Sequence, residues 1–225
     1  MKKIDFFIYW MLALILYLVC NNAYNTPFTI KDSPENQEMA KTYNFENLKD
    51  PEQCVYYSFK SNPIRIEKND YKLKLYPQAN YRIYAMVMSK NRYIWGWDGE
   101  VAPYDLALAW NKLMLPENQK GISYTQSNRW YYYQYDKTFT LSPSYIVSHS
   151  ANHHIIPANK NVFNAIDKVR TGEKIYMEGY LVYISGTVGN GNIHWNSSLT
   201  RDDSGDGACE VFYVKRAILD GKIYD

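Results

Sequence analysis

The sequence predicts a β-rich α+β fold: a small curved antiparallel sheet, or a partly open OB-like barrel, carrying two short helices. Three observations lead there. Tyrosine occurs 23 times beside six Trp and eight Phe, and aromatic side chains suit pleated, half-buried surfaces. Several segments alternate apolar and polar residues with the period of a strand. Only two segments carry the apolar stripe of a helix.

Residues 71–76 (YKLKLY) alternate strictly, and residues 81–88 and 129–135 are further strand candidates. A first helix is expected over residues 103–114. Pro103 suits its first turn, Asp105 complements the positive end of the dipole, and Leu106, Ala109, Trp110 and Leu113 form one stripe before Pro116. A second is expected over residues 160–170, with Asn159 as N-cap, Val162, Ile166 and Val169 inward, and Gly172 closing the end. Residues 173–185 then read as a long strand, in which Gly179 suits a tight bend. A glycine-rich turn, a return over 194–199 and a last strand over 208–214 complete the pattern.

Three regions follow: residues 1–25 as an amino-terminal membrane segment or signal, 26–52 as a polar tether, and 53–225 as a single β-rich domain. Lys2 and Lys3 precede an apolar run from Phe6 to Cys20, about 15 residues long, at the upper edge of a signal core. Small residues suited to cleavage or to lipidation at Cys20 are missing around it. The expectation is therefore a transmembrane signal anchor, with membrane attachment through the amino-terminal helix. That implies a single membrane pass with the domain on the far side. Secretion or periplasmic release after cleavage is the alternative.

The net charge of +2 and the absence of a basic block speak against nucleic acid. Cys54 and Cys209 suffice for one disulfide, but their spacing does not show that they meet.

Four features carry candidate chemistry. His149, His153 and His154 fall in one segment, with His194 apart. On a strand, His149 and His153 would stand about 13 Å apart, too far for one ion. No metal and no cofactor is expected. The loop at 197–210 offers Asp202, Ser204, Asp206 and Gly207 as half of a calcium loop, but Tyr213 stands where the bidentate Glu belongs; interstrand turn chemistry explains the same residues. Cys209 opens an alternating strand, as a buried structural cysteine does. Trp95 and Trp97, with Asp98 and Glu100, precede the first expected helix. Together with Trp130 they form a candidate ligand-binding surface.

Several runs also resemble a family of bacterial membrane-anchored proteins to which no activity is assigned. They are residues 102–110 (APYDLALAW), 127–131 (SNRWY), 149–158 (HSANHHIIPA), 179–182 (GYLV) and 195–210 (WNSSLTRDDSGDGACE). The resemblance implies a bacterial envelope setting, and with it a single pass in the inner membrane, the domain in the periplasm and an envelope protein partner; it carries no site roles.

The functional expectation is a non-catalytic scaffold or binding domain. One alternative is a hydrolase or metal-dependent enzyme using His149, His154, Arg201 and Asp203, between the 149–154 segment and the 201–210 loop. A second is a small-ligand or glycan binder using Trp95, Trp97 and Trp130.

Overall fold

The computed structural model describes Met11 and residues 50–56, 62–68, 70–201, 203, 205 and 207–225. Every strand and helix named below lies within the unit Pro34–Asp225. The fold is α+β and β-rich, as expected.

The frame is set by two long strands. β3 (Tyr71–Arg92) and β8 (Lys174–Val188) pair antiparallel from Tyr71↔Val188 to Met86↔Lys174. The alternation at residues 71–76 buries Tyr71, Leu73 and Leu75 and exposes Lys72 and Lys74, as a half-buried strand should. Pro77 lacks an N–H, and the β3–β8 register shifts between Pro77 and Ala79, where a bulge tolerates the missing donor. Around this pair β3 continues to β4 (Tyr104–Ala109), β4 to β7 (Ser150–Pro157), β7 to β10 (Glu210–Leu219), and β10 back to β8. These five strands form a ring.

The β7–β10 pair is parallel, with Glu210↔His153 and Val211↔His154, so the expected antiparallel sheet is in fact mixed. Nor is the sheet a closed barrel. β1 (Glu52–Val55) and β2 (Ile64–Lys68) pair with β3, β9 (Gly191–Asn196) with β8, and β11 (Lys222–Tyr224) with β10, so β1 and β9 end the strand order as edges. The barrel expectation is corrected to a curved mixed sheet containing a ring.

Glycine lets the ring strands approach closely. A Cβ on Gly179 would lie 2.0 Å from the Tyr213 carbonyl oxygen of β10, and one on Gly186 would lie 2.1 Å from the Lys72 carbonyl oxygen of β3. Close backbone contact, rather than a sharp bend, is what these positions require.

The helix expected over 103–114 is a strand followed by a 3₁₀ turn at Asn111–Met114. β4 lies between β3 and β7, and all six of its residues are buried. A short apolar run covered on both faces cannot be told from a helical stripe by period alone. The second expected helix is present as α3 (Lys160–Lys168), where the Asn159 side chain accepts a hydrogen bond from Val162 N. Two shorter helices, α1 (Gly96–Val101) and α2 (Pro143–His149), were not foreseen. A separate hairpin pairs β5 (Ile122–Ser127) with β6 (Trp130–Tyr135).

Among the described residues no helix is long and apolar enough to cross a membrane. The longest α-helix among them has nine residues, about 14 Å at 1.5 Å per residue, against a hydrocarbon core of about 30 Å. The transmembrane helix, the membrane attachment through it and the single-pass inner-membrane placement are corrected accordingly. Residues 1–25, on which that expectation fell, lie outside the described residues apart from Met11.

Candidate functional site

The hairpin supplies the first part of the site. Ser127 pairs with Trp130, leaving Asn128 and Arg129 as a two-residue turn, with φ of 51° and 69°. Positive φ at both positions is what a type I′ turn requires. Asn tolerates it, whereas Arg rarely adopts it. Electrostatics offset that strain. Arg129 Nη1 donates to Asp105 Oδ1 at 2.8 Å and to the Ala102 carbonyl at 2.9 Å. Its Nε and Nη2 donate to Asp98 Oδ2 at 3.1 and 2.9 Å. The guanidinium lies 3.7 Å over the Tyr93 ring and 5.6 Å from that of Trp195.

Asp105 is fully buried and serves several partners. His154 Nδ1 lies 2.8 Å from its Oδ1, and Asn152 Nδ2 lies 3.5 Å from its Oδ2. Asn152 also donates to the Arg129 carbonyl at 2.9 Å and accepts from Gln126 Nε2 at 2.7 Å. The network therefore ties the hairpin tip to α1, β4 and β7. His154 is covered by Trp195, with ring centroids 4.8 Å apart, and Trp195 meets Trp97 edge-on at 5.8 Å.

A second polar cluster lies on the other face of β7 and β10. Tyr81 OH is 3.1 Å from His153 Nε2, and His153 Nδ1 is 3.3 Å from the Ala151 carbonyl. This fits a neutral imidazole that donates from Nδ1 and accepts at Nε2. Burial, with the positive charge of Arg201 second, lowers the His153 pKa to about 3. Glu210, 1% exposed, is ion-paired through Oε1 to Arg201, which also donates to Gln53 Oε1 at 2.9 Å. Burial raises the Glu210 pKa to about 7 despite Arg201. Its Oε2 has no hydrogen-bond partner among the described residues, and His153 Nδ1 is 3.9 Å away. With His153 neutral, that approach is not an ion pair.

The loop joining β9 to β10 is shaped by its own side chains. Ser198 Oγ donates to Asp203 Oδ2 at 2.6 Å and accepts from Thr200 N at 3.1 Å; Ser197 Oγ accepts from Val211 N at 3.1 Å. These bonds hold Arg201 over Glu210. Asp202, Ser204 and Asp206, the other parts of the half calcium loop, lie outside the described residues. Among the described residues no group of three or more His, Cys, Asp or Glu side chains could hold a metal ion.

Between this loop, the hairpin and the start of β7 lies a cavity of about 190 Å³. Trp110, Trp130, Tyr131 and Tyr133 supply its aromatic wall; Arg201 and Glu210 supply its charged one. Depressions of about 440 and 960 Å³ elsewhere are more open.

No protein-family model, no curated protein and no solved structure matches this chain. The site's own chemistry must therefore carry the functional argument.

The proposed enzyme residues have separate partners. His149 stacks on Tyr145 at 3.7 Å and lies 3.7 Å from Asp50; His154 faces Asp105; Arg201 pairs with Glu210; Asp203 holds Ser198. Of the three tryptophans, Trp130 lines the cavity, Trp97 packs on Trp195, and Trp95 stands in solvent at 83% exposure. Sequence reading passed over Arg129 and the pairing of Asp105. A usable signal was present, since Asn128-Arg129 between two alternating strands is a two-residue hairpin turn.

Cys209 borders the cavity, but burial pushes its thiol up to about 12. Few thiolates form there near neutrality, so nucleophilic chemistry is disfavoured. In the folded protein at pH 8, iodoacetamide is expected to modify exposed Cys54 at least ~100-fold faster than Cys209, as read by peptide mass spectrometry. Comparable rates would contradict the inert thiol.

Proposed function

We propose that the chain is a non-catalytic binding domain that takes a small polar ligand in the cavity under the β5–β6 hairpin. One observation carries this reading: a cavity of about 190 Å³ with an aromatic wall is bordered by Glu210, a buried residue whose Oε2 has no hydrogen-bond partner among the described residues. Buried polar atoms are normally paired, and an orphan beside a cavity marks a place for a donor from outside the chain. The other charged groups support binding over catalysis. Arg129, Asp105, His154 and Arg201 are each engaged in hydrogen bonds or ion pairs, which leaves none of these four as a base aimed at an activated nucleophile. A net charge of +2 gives little counter-ion release on a phosphate backbone, so nucleic acid is a poor ligand.

Saturation-transfer NMR with phenol, glycerol and tetramethylammonium as probes tests the reading. At least one probe is expected to receive saturation from the wild type and to lose it in Trp130→Ala. Trp130 is 36% exposed, so its removal should leave the fold intact. Transfer to none of the three, or transfer unchanged in the variant, would contradict a ligand site there.

A further inference from the structure

We propose that the ligand is a neutral, hydroxyl-rich six-membered ring, of which a pyranose is the simplest case; this rests on the binding role proposed above. Three observations select that class.

The first is the demand for hydrogen bonds. Glu210 Oε2 has no partner among the described residues, and it calls for a donor when ionised and for an acceptor when protonated. Arg201 borders the same cavity with guanidinium donors, and the Ser150 hydroxyl there donates to the Ile146 carbonyl at 2.8 Å, which leaves its oxygen as an acceptor. A hydroxyl donates and accepts at once, so a polyol meets both needs. A quaternary ammonium ion can do neither.

The second is charge. Arg201 already neutralises Glu210 through Oε1, and the Asp203 carboxylate already accepts from Ser198. A cation would gain little from carboxylates so engaged and would face the Arg201 guanidinium. An anion would meet Glu210 and Asp203. A neutral ligand avoids both penalties.

The third is shape. Trp130, Tyr131 and Tyr133 line one side of the cavity. Flat aromatic faces suit the C–H face of a sugar ring, while the hydroxyls at its rim reach the polar wall. A cavity of about 150 Å³ holds benzene, so the 190 Å³ here admits a six-membered ring with some hydroxyls at the mouth.

Titration calorimetry of the full chain with methyl β-D-glucopyranoside, methyl β-D-galactopyranoside and tetramethylammonium chloride tests the class. At least one glycoside is expected to bind. Trp130→Ala and Glu210→Gln should each weaken it at least ~10-fold, and Trp95→Ala should leave it unchanged, since Trp95 does not border the cavity. Circular dichroism of each variant separates lost binding from lost fold, and Trp130→Ala alone suffices if Glu210→Gln does not fold. Parallel titrations with cellohexaose and galactohexaose separate a free sugar from a glycan end, because only a glycan end predicts the hexamer to bind the tighter. Binding of tetramethylammonium alone would overturn the polyol class and leave the cavity as a ligand site. Silence of every probe, here and in saturation transfer, would overturn both readings.

Discussion

Replacing Arg129 with alanine is expected to lower the unfolding free energy by about 3–5 kcal/mol, because it leaves the charge of Asp105 buried and unpaired by its cation. Asp105 has no exposed side-chain area, while Arg129 retains 17%. The pair therefore sits in the low-dielectric regime, where removing one partner costs far more than the pair contributes. The bond to Asp98 adds little, since that carboxylate is 39% exposed and screened by solvent. For a chain of this size the change corresponds to a Tm fall of roughly 6–20 °C. Arg129→Lys keeps the charge but loses the fork that reaches Asp98, Asp105 and Ala102 together, so its loss should be intermediate. If the orphaned charge is the cause, adding Asp105→Asn to Arg129→Ala should restore part of the stability. Denaturant unfolding of the four proteins measures this. A loss below ~1 kcal/mol for Arg129→Ala, or no recovery in the double variant, would contradict the role given to the network.

The second large effect concerns pH. Glu210 has a folded pKa raised from 4.5 to about 7. Its contribution to stability is fully present below 4.5 and is lost as pH rises through 7. His153 has a folded pKa lowered from 6.5 to about 3. Its contribution is fully present above 6.5 and is lost as pH falls through 3. Between 4.5 and 6.5 the folded pair holds its proton on the carboxyl and the unfolded pair holds it on the imidazole. The proton count is the same in both states, so the pair adds no slope in that window.

Single substitutions unmask the two halves. In Glu210→Gln, stability should rise with pH relative to wild type across that window. In His153→Gln it should fall. Each relative slope approaches about 1.4 kcal/mol per pH unit, for a change of about 2–3 kcal/mol across that window. Chemical unfolding at several pH values reads both. Parallel profiles for wild type and variants would contradict the buried, oppositely shifted pair.

Much of the fold was legible because its signals are local. The alternation at residues 71–76, the Asn159 cap and the long strand before the glycine-rich turn follow from neighbouring residues alone. β4 was misread for a physical reason. Buried on both faces, Leu106, Ala107, Leu108 and Ala109 carry no alternation to oppose the helical stripe. The parallel β7–β10 pair was out of reach, because it joins segments far apart in the chain.

The candidate site shows the same division. Ser, Asp and Gly in the 197–207 loop announce turn chemistry, and Ser197, Ser198 and Asp203 do bond to the loop and the adjoining strand. Asp105, Arg129 and His154 form one network from three elements, with Arg129 24 positions and His154 49 positions beyond Asp105. No spacing in the sequence signals that meeting. The cavity is less legible still, since it exists only where the hairpin folds over the end of the ring.

We propose this cavity, and not the solvent-facing Trp95 and its neighbour Trp97, as the place where a ligand docks. Six tryptophans give six indole N–H resonances, so a ¹⁵N–¹H spectrum recorded during titration with methyl β-D-glucopyranoside or its galactose counterpart addresses it most directly. The indole signals of Trp110 and Trp130 should shift together and saturate, while that of Trp95 stays fixed. Shifts confined to Trp95 and Trp97, or a spectrum unchanged by either glycoside, would contradict it.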